Sequence, residues 1–249
     1  MELGLKGKAA LVTGGAGAIG GQIARRLSEE GCLVALADIA PSADGHEGAV
    51  ADRGGSSVYV PCDVRQSEDV ERMVRRALDA FGRIDILVNG AGVTTWAPIV
   101  RLHESEWDRV VDINLKSAFL CSRAVAPHMI AQRSGKIVNI ASGLGHTPSV
   151  EVGHYAAAKA GVIALSKTLA LELAPHRINV NSVAPGIIDT PFVAPRRTRE
   201  ELRAIGERIP LGRVGQPDDV ARVVVFLVSA ASDYMTGQTL FINGGALMP

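Results

Sequence analysis

Thr13-Gly14-Gly15-Ala16-Gly17-Ala18-Ile19-Gly20 follows an apolar run, Lys8–Thr13, and opens a helical stretch, Ala18–Glu30. Glycines at such a junction let the backbone turn tightly and approach a pyrophosphate, whose charge the helix N-terminus favours. Gly15-x-Gly17-x-x-Gly20 fits the general dinucleotide fingerprint. Glycine turns are common, so the weight comes from the position of this one between a strand and a helix near the N-terminus.

The same alternation runs outward from that turn. Leu33–Asp38, Ser57–Pro61, Ile84–Asn89, Lys136–Ala141, Ile178–Val183 and Leu240–Ile242 read as further buried strands. Helical patterns separate them at Ser67–Phe81, Glu104–Arg133, Val152–Ala174 and Pro217–Ser229. Strands alternating with helices of this length imply right-handed crossovers and a parallel sheet covered on both faces. The expectation is a single-domain Rossmann fold over residues 1–249, a doubly wound sheet of about seven strands. Pro41–Gly55 carries Gly45, Gly48, Gly54 and Gly55, so any helix there should be short or frayed. The chain shows no repeat, low-complexity tract or linker.

The second strand ends in Asp38, about the right distance from the glycines for its carboxylate to accept from the adenosine ribose hydroxyls and repel a 2′-phosphate. No Arg or Lys lies in the glycine turn or immediately after Asp38, so NAD is favoured over NADP. Lys plus Arg equals Asp plus Glu, 26 each. That balance offers no basic footprint for nucleic acid. No apolar run approaches the ~18 residues of a membrane span, and the N-terminus lacks the apolar core of a secretion signal. Cys32, Cys62 and Cys121 are scattered and without a CxxC, which reads as reduced core residues in the cytoplasm. The histidines show no ligand spacing, so no metal is expected.

Five further motifs, taken in order, make the chain resemble the short-chain dehydrogenase/reductase family from about Leu5 to Gly245. The family's glycine turn is matched by Thr13, Gly14, Ala18 and Gly20, with Ala18 in place of a glycine. Asn89-Gly90-Ala91-Gly92 matches its NNAG motif, with Gly90 in place of Asn. Asn114 in Asp112-Ile113-Asn114-Leu115 matches its helix Asn. Ser142 lies in Asn139-Ile140-Ala141-Ser142-Gly143, Tyr155-Ala156-Ala157-Ala158-Lys159 matches YxxxK, and Pro185-Gly186 is followed by Thr190. The resemblance implies catalysis by Asn114, Ser142, Tyr155 and Lys159. It implies cofactor contacts from Gly14, Gly17, Ala18, Ile19, Gly20, Asp38, Asp63, Val64, Asn89, Ala91, Gly92, Tyr155, Lys159, Pro185, Gly186, Ile188 and Thr190. It also implies a homotetramer.

The residues support that chemistry directly. Tyr155 and Lys159, four apart, share a helix face, and Ser142 ends a buried strand, where open α/β sheets place ligands. A free tyrosine has a pKa of about 10, and a nearby ammonium favours its phenolate. In oxidation Ser142 holds the substrate oxygen, Tyr155 removes its proton, and hydride passes to the nicotinamide. The resemblance adds that Lys159 holds the nicotinamide ribose and that Asn114 supports a water leading from Lys159 to solvent. Thr94, Leu144, His146 and Phe192 are the substrate candidates. Thr95, Trp96 and His154 lie close by as packing residues or spectators. Residues 191–210 form a short lid carrying Val193, Arg196, Arg197, Arg199, Arg203 and Arg208. The first functional reading is an NAD-dependent dehydrogenase of a small secondary alcohol. The second is an NADPH-dependent 3-oxoacyl-thioester reductase. A cofactor-sensing protein is a poor third, because the Ser–Tyr–Lys set is complete.

Overall fold

The computed structural model describes residues 3–40, 57–192 and 197–249. Pro41–Gly55, and Val193 and Arg196 of the lid, lie outside them. Seven parallel strands, β1 (Ala9–Thr13), β2 (Leu33–Asp38), β3 (Ser57–Pro61), β4 (Ile86–Asn89), β5 (Gly135–Ile140), β6 (Ile178–Pro185) and β7 (Thr239–Ile242), form one sheet in the order 3-2-1-4-5-6-7. The described helices are α1 (Ala18–Glu29), α2 (Ser67–Phe81), α3 (Glu104–Val111), α4 (Ser117–Gln132), α5 (Gly153–Leu173), α6 (Arg199–Arg208) and α7 (Pro217–Val228).

The strands read as near-continuous apolar runs because both faces are covered. Alternation sorts the side chains. Val12, Leu36, Val88 and Val138 point to one face, where Ile23 and Leu27 of α1 and Val220 and Val224 of α7 close the core. Leu11, Ala35, Leu87 and Ile137 point to the other, against Met73 of α2, Val125 and Met129 of α4 and Leu173 of α5. The chain leaves β1 toward β2 and β3 and then returns to place β4 on the opposite side of β1. That reversal opens a crevice at the C-terminal ends of β1 and β4, where the glycine turns sit.

Most element boundaries agree with the sequence reading to within two residues. One long helix does not: Glu104–Arg133 is α3, a π-helical turn over Asp112–Lys116, and α4. A π turn is one extra residue in the helix, a device frequent at functional sites, and this one carries Asn114. The lid, to which the sequence reading assigned no helix, contains α6, started by a reciprocal Thr198–Glu201 capping box. No helix among the described residues is long and apolar enough to cross a membrane. Among them, too, no group of three or more His, Cys, Asp or Glu side chains could hold a metal. Cys32, Cys62 and Cys121 are buried free thiols, and burial pushes Cys32 and Cys62 up to about 12.

Candidate active site

The turns after β1 and β4 press against one another. Gly14 has φ +69°, and a Cβ there would fall 2.8 Å from the Gly90 carbonyl. Gly90 in turn approaches β1 so closely that a Cβ would lie 2.7 Å from the Thr13 carbonyl oxygen. The Thr13 hydroxyl accepts from the amides of Gly90 (3.1 Å) and Ala91 (3.4 Å). The glycine at position 90 thus lets the two turns approach this closely, and the Thr13 hydroxyl ties them together. Helix α1 begins at Gly17 without a side-chain cap, which leaves its first amides free for an anion. At the far end of the crevice, Asp38 is fixed by accepting from the amides of Ala16 (3.0 Å) and Ala40 (3.1 Å).

A cavity of about 570 Å³ runs along these turns, a size suited to a cofactor. Gly14, Gly17, Ala18, Ile19, Gly20, Gly92, Pro185, Gly186, Ile188 and Thr190 line it, as do Tyr155 and Lys159. So do Ala16, Gly90, Ile140, Ala141, Ile187 and Pro191, which were not among the expected cofactor contacts. Asp38, Asp63, Val64, Asn89 and Ala91 stand outside its wall. Asp63 spends its carboxylate on Arg65 at 2.6–3.1 Å, an ion pair that holds its pKa below the usual range. Val64 is buried in the core beside α2. Asn89 is also buried and ties β4 to β5 by donating to Asn139 Oδ1 at 2.7 Å.

A second cavity of about 860 Å³ adjoins the first, and Ser142, Leu144, Tyr155 and Phe192 belong to both walls. Ser142 leaves β5 in extended conformation, and its Oγ accepts from the Leu144 amide at 3.2 Å, which leaves the hydroxyl proton to donate. Lys159, one turn along α5 from Tyr155, donates to the Ile140 carbonyl at 2.7 Å and lies 5.6 Å from the centre of the Tyr155 ring. The expected lysine-induced fall of the Tyr155 pKa is not what the protein alone produces. Burial pushes the phenol up to about 12, with the Ser142 hydrogen bond pulling against it, and burial brings Lys159 down to about 8. Desolvation exceeds the attraction of an ammonium that is committed to a backbone carbonyl. At neutral pH the pair is therefore phenol and ammonium.

Asn114 donates to the carbonyls of Val93 (2.7 Å) and Val110 (2.8 Å), while its buried Oδ1 has no partner among the described residues. A Cβ on Gly92 would fall 2.9 Å from that oxygen and 3.5 Å from Lys159 Nζ. The bare glycine keeps side-chain atoms out of the space between the two.

Thr94, Leu144 and Phe192 line the second cavity, as does Trp96. His146 does not. Its ring packs edge-on against Phe241 at 5.6 Å. His154 is fully buried and bonds Thr95 Oγ1 at 2.9 Å. Burial holds its pKa below the ordinary value, so it is a neutral tether for the loop after β4. The tail after β7, with Asn243, Ala246 and Leu247, supplies a wall that the motifs did not announce.

A family model described as enoyl-(acyl carrier protein) reductase matches residues 14–246. The chain is 41% identical over 249 residues to a 3-oxoacyl-[acyl-carrier-protein] reductase of Thermotoga maritima, an alignment covering 98% of this chain and 99% of that one. It is 40% identical to a (2S)-[(R)-hydroxy(phenyl)methyl]succinyl-CoA dehydrogenase subunit of Thauera aromatica, across 98% of each. A solved short-chain type dehydrogenase/reductase from Mycobacterium marinum superposes with a TM-score of 0.92 and 38% identity, over 98% of this chain and 97% of that one.

Proposed function

Because the chain belongs to the short-chain dehydrogenase/reductase family, and is thus a nicotinamide-dependent oxidoreductase of alcohol and carbonyl groups, we propose that it interconverts the 3-oxo and 3-hydroxy forms of an acyl thioester. The observation that carries this reading is the meeting of the two cavities at Ser142 and Tyr155. One cavity is shaped for a dinucleotide, and the other is a largely apolar space for an acyl chain. The sequence alone placed a small secondary alcohol first and the thioester second. The activities that the relatives are named for, on acyl-carrier and CoA thioesters, favour the reverse order.

The nicotinamide, when bound, supplies or accepts the hydride. The chain's own residues handle the oxygen and its proton. Ser142 donates to the substrate carbonyl oxygen and fixes it beside the phenol of Tyr155. Tyr155, kept protonated at neutral pH, delivers its proton to that oxygen as negative charge develops. The Lys159 ammonium stabilises the phenolate left behind, and the gap bounded by Asn114, Gly92 and Lys159 returns a proton from solvent. Gly14, Gly17, Ala18, Ile19 and Gly20 would hold the cofactor's pyrophosphate, and Ile188 and Thr190 would hold its nicotinamide end.

Asp38 supports NAD(H) as the cofactor. Its carboxylate stands at the end of β2, where a 2′-phosphate would meet like charge. A cytoplasmic homotetramer built of one domain per chain completes the reading. The test is oxidation of NADH and NADPH with 3-oxobutyryl-CoA and with simple ketones of equal chain length. Thioester turnover at least tenfold more efficient than ketone turnover, with NADH preferred, is the expected result. Equal or better use of the simple ketones would sink the thioester assignment, and an NADPH preference would sink the role given to Asp38.

A further inference from the structure

The second cavity has an apolar body, with Trp96, Val150, Phe192, Ile205 and Leu247 on its wall, but also two guanidinium groups, Arg197 and Arg208. Two other arginines of the lid, among the described residues, are neutralised. Arg199 pairs with Asp189 at 3.2 Å and Arg203 with Glu207 at 3.6 Å, at a separate shallow hollow behind α6. Arg197 and Arg208 have no ion pair or hydrogen bond among the described residues. Glu151 is the one carboxylate among the described lining residues, against the two guanidinium groups. The substrate cavity therefore has a surplus of positive charge in a chain whose formal net charge is zero.

These two arginines do not serve the cofactor. The nucleotide cavity has neither of them on its wall, and among the described residues Lys159 is the only cation lining it. Unpaired guanidinium groups present forked donors matched to carboxylate and phosphate oxygens. An apolar cavity ending in such donors fits a molecule with a hydrocarbon body and an anionic end. We propose that Arg197 and Arg208 form an anion-binding subsite, and that the substrate carries a carboxylate or phosphate which they hold while its carbonyl lies at Ser142 and Tyr155. This rests on the thioester reading above and extends it. The anion is either a phosphate of the thioester's carrier arm or a carboxylate at the far end of its acyl group.

Three 3-oxoacyl thioesters of matched chain length separate these sources: the neutral N-acetylcysteamine thioester, the CoA thioester, and an N-acetylcysteamine thioester with a terminal carboxylate. Each is measured with the wild-type full chain and with the Arg197→Gln/Arg208→Gln double variant, and the readout is the ratio of kcat/KM for each anionic substrate to that for the neutral one. The expected result is a wild-type preference for at least one anionic substrate that falls about tenfold in the double variant. Raising the salt concentration should erode the same preference, because exposed charges are screened. Loss confined to the CoA ratio identifies the phosphate, and loss confined to the carboxylated ratio identifies the acyl carboxylate. Wild-type ratios near one, or ratios that the double variant leaves unchanged, would overturn the subsite. Failure to turn over any thioester would instead count against the proposed function. Calorimetric titration with the three corresponding 3-hydroxyacyl thioesters then reads the anion preference without turnover, with the same two outcomes.

Discussion

At the residue scale, Tyr155 and Lys159 have opposite desolvation problems, and both solutions favour reduction. A phenol raised to about 12 keeps its proton, and an ammonium lowered to about 8 keeps its charge at neutral pH but not far above it. Tyr155→Phe removes the only proposed proton donor at the reacting oxygen. Turnover should fall by about 10²–10⁴-fold, the usual contribution of such a group, while NADH binding by fluorescence titration stays within a few-fold of wild type. Substantial turnover in that variant would remove Tyr155 from its assigned role. The second expectation is a pH profile. As pH rises through about 8, Lys159 loses the proton that stabilises the phenolate, so kcat for carbonyl reduction should decline on that limb. A rate that stayed level to well above that pH would show that Lys159 is not acting through its charge. The chemistry-bearing residues were legible because Ser142, Tyr155 and Lys159 depend on local spacing. Their protonation states were not, since those depend on burial produced by chain segments far away in sequence. His146 illustrates the same limit. Adjacency to Ser142 suggested a substrate contact, but the residue that claims its ring is Phe241 on the last strand.

Elements were readable where one periodicity holds and unreadable where a helix changes its winding. The strands stood out because burial on both faces makes them uniformly apolar. The π turn at Asp112–Lys116 left no mark in composition, since one extra residue per turn shifts the apolar stripe without breaking it. Only the motif Asn114 hinted that the segment was special. A different device joins the first and last helices of one face. Asp218 at the start of α7 accepts from Arg26 (2.6 and 2.7 Å) and Gln22 (2.7 Å) of α1, and from Arg222 (2.8 Å) one turn on. Arg26 heads the causes that hold the Asp218 carboxyl far below the usual carboxylate range. A depressed folded-state pKa means stability that is present above the unfolded value, about 3.9, and lost as pH falls through the folded one. Asp218→Asn should therefore cost about 1 kcal/mol at neutral pH, a modest figure because the cluster is partly solvated. Melting should drop by about 2–4 °C. The gap between variant and wild type should narrow in scans below about pH 4; a gap that widened there would show that the carboxylate's charge is not what the clasp uses.

At the scale of the whole molecule, the apolar side chains left on the surface include two groups that lie away from both cavities. Trp107 of α3, Phe119 of α4 and Leu171 of α5 stand out from the helical layer over the α2–α4–α5 face, with Leu171 80% exposed. Phe226 of α7 and Tyr234, the latter fully exposed, form the second group, and Tyr234 lies five residues before the edge strand β7. Large exposed apolar groups usually mark contact surfaces, and an uncovered edge strand invites pairing unless something shields it. Two separate self-complementary contacts generate a closed assembly of four chains, the common way in which two-fold interfaces combine. Light scattering should therefore give a mass near four times the 26.1 kDa chain. Leu171→Glu tests one contact without touching either cavity. Placed on the exposed side of α5, it should split the tetramer into dimers while the monomer fold, read by far-ultraviolet circular dichroism, is kept. If the protein runs as a monomer, or if Leu171→Glu leaves the tetramer intact, the α3–α4–α5 surface is not the interface, and its exposed Trp107, Phe119 and Leu171 need another partner.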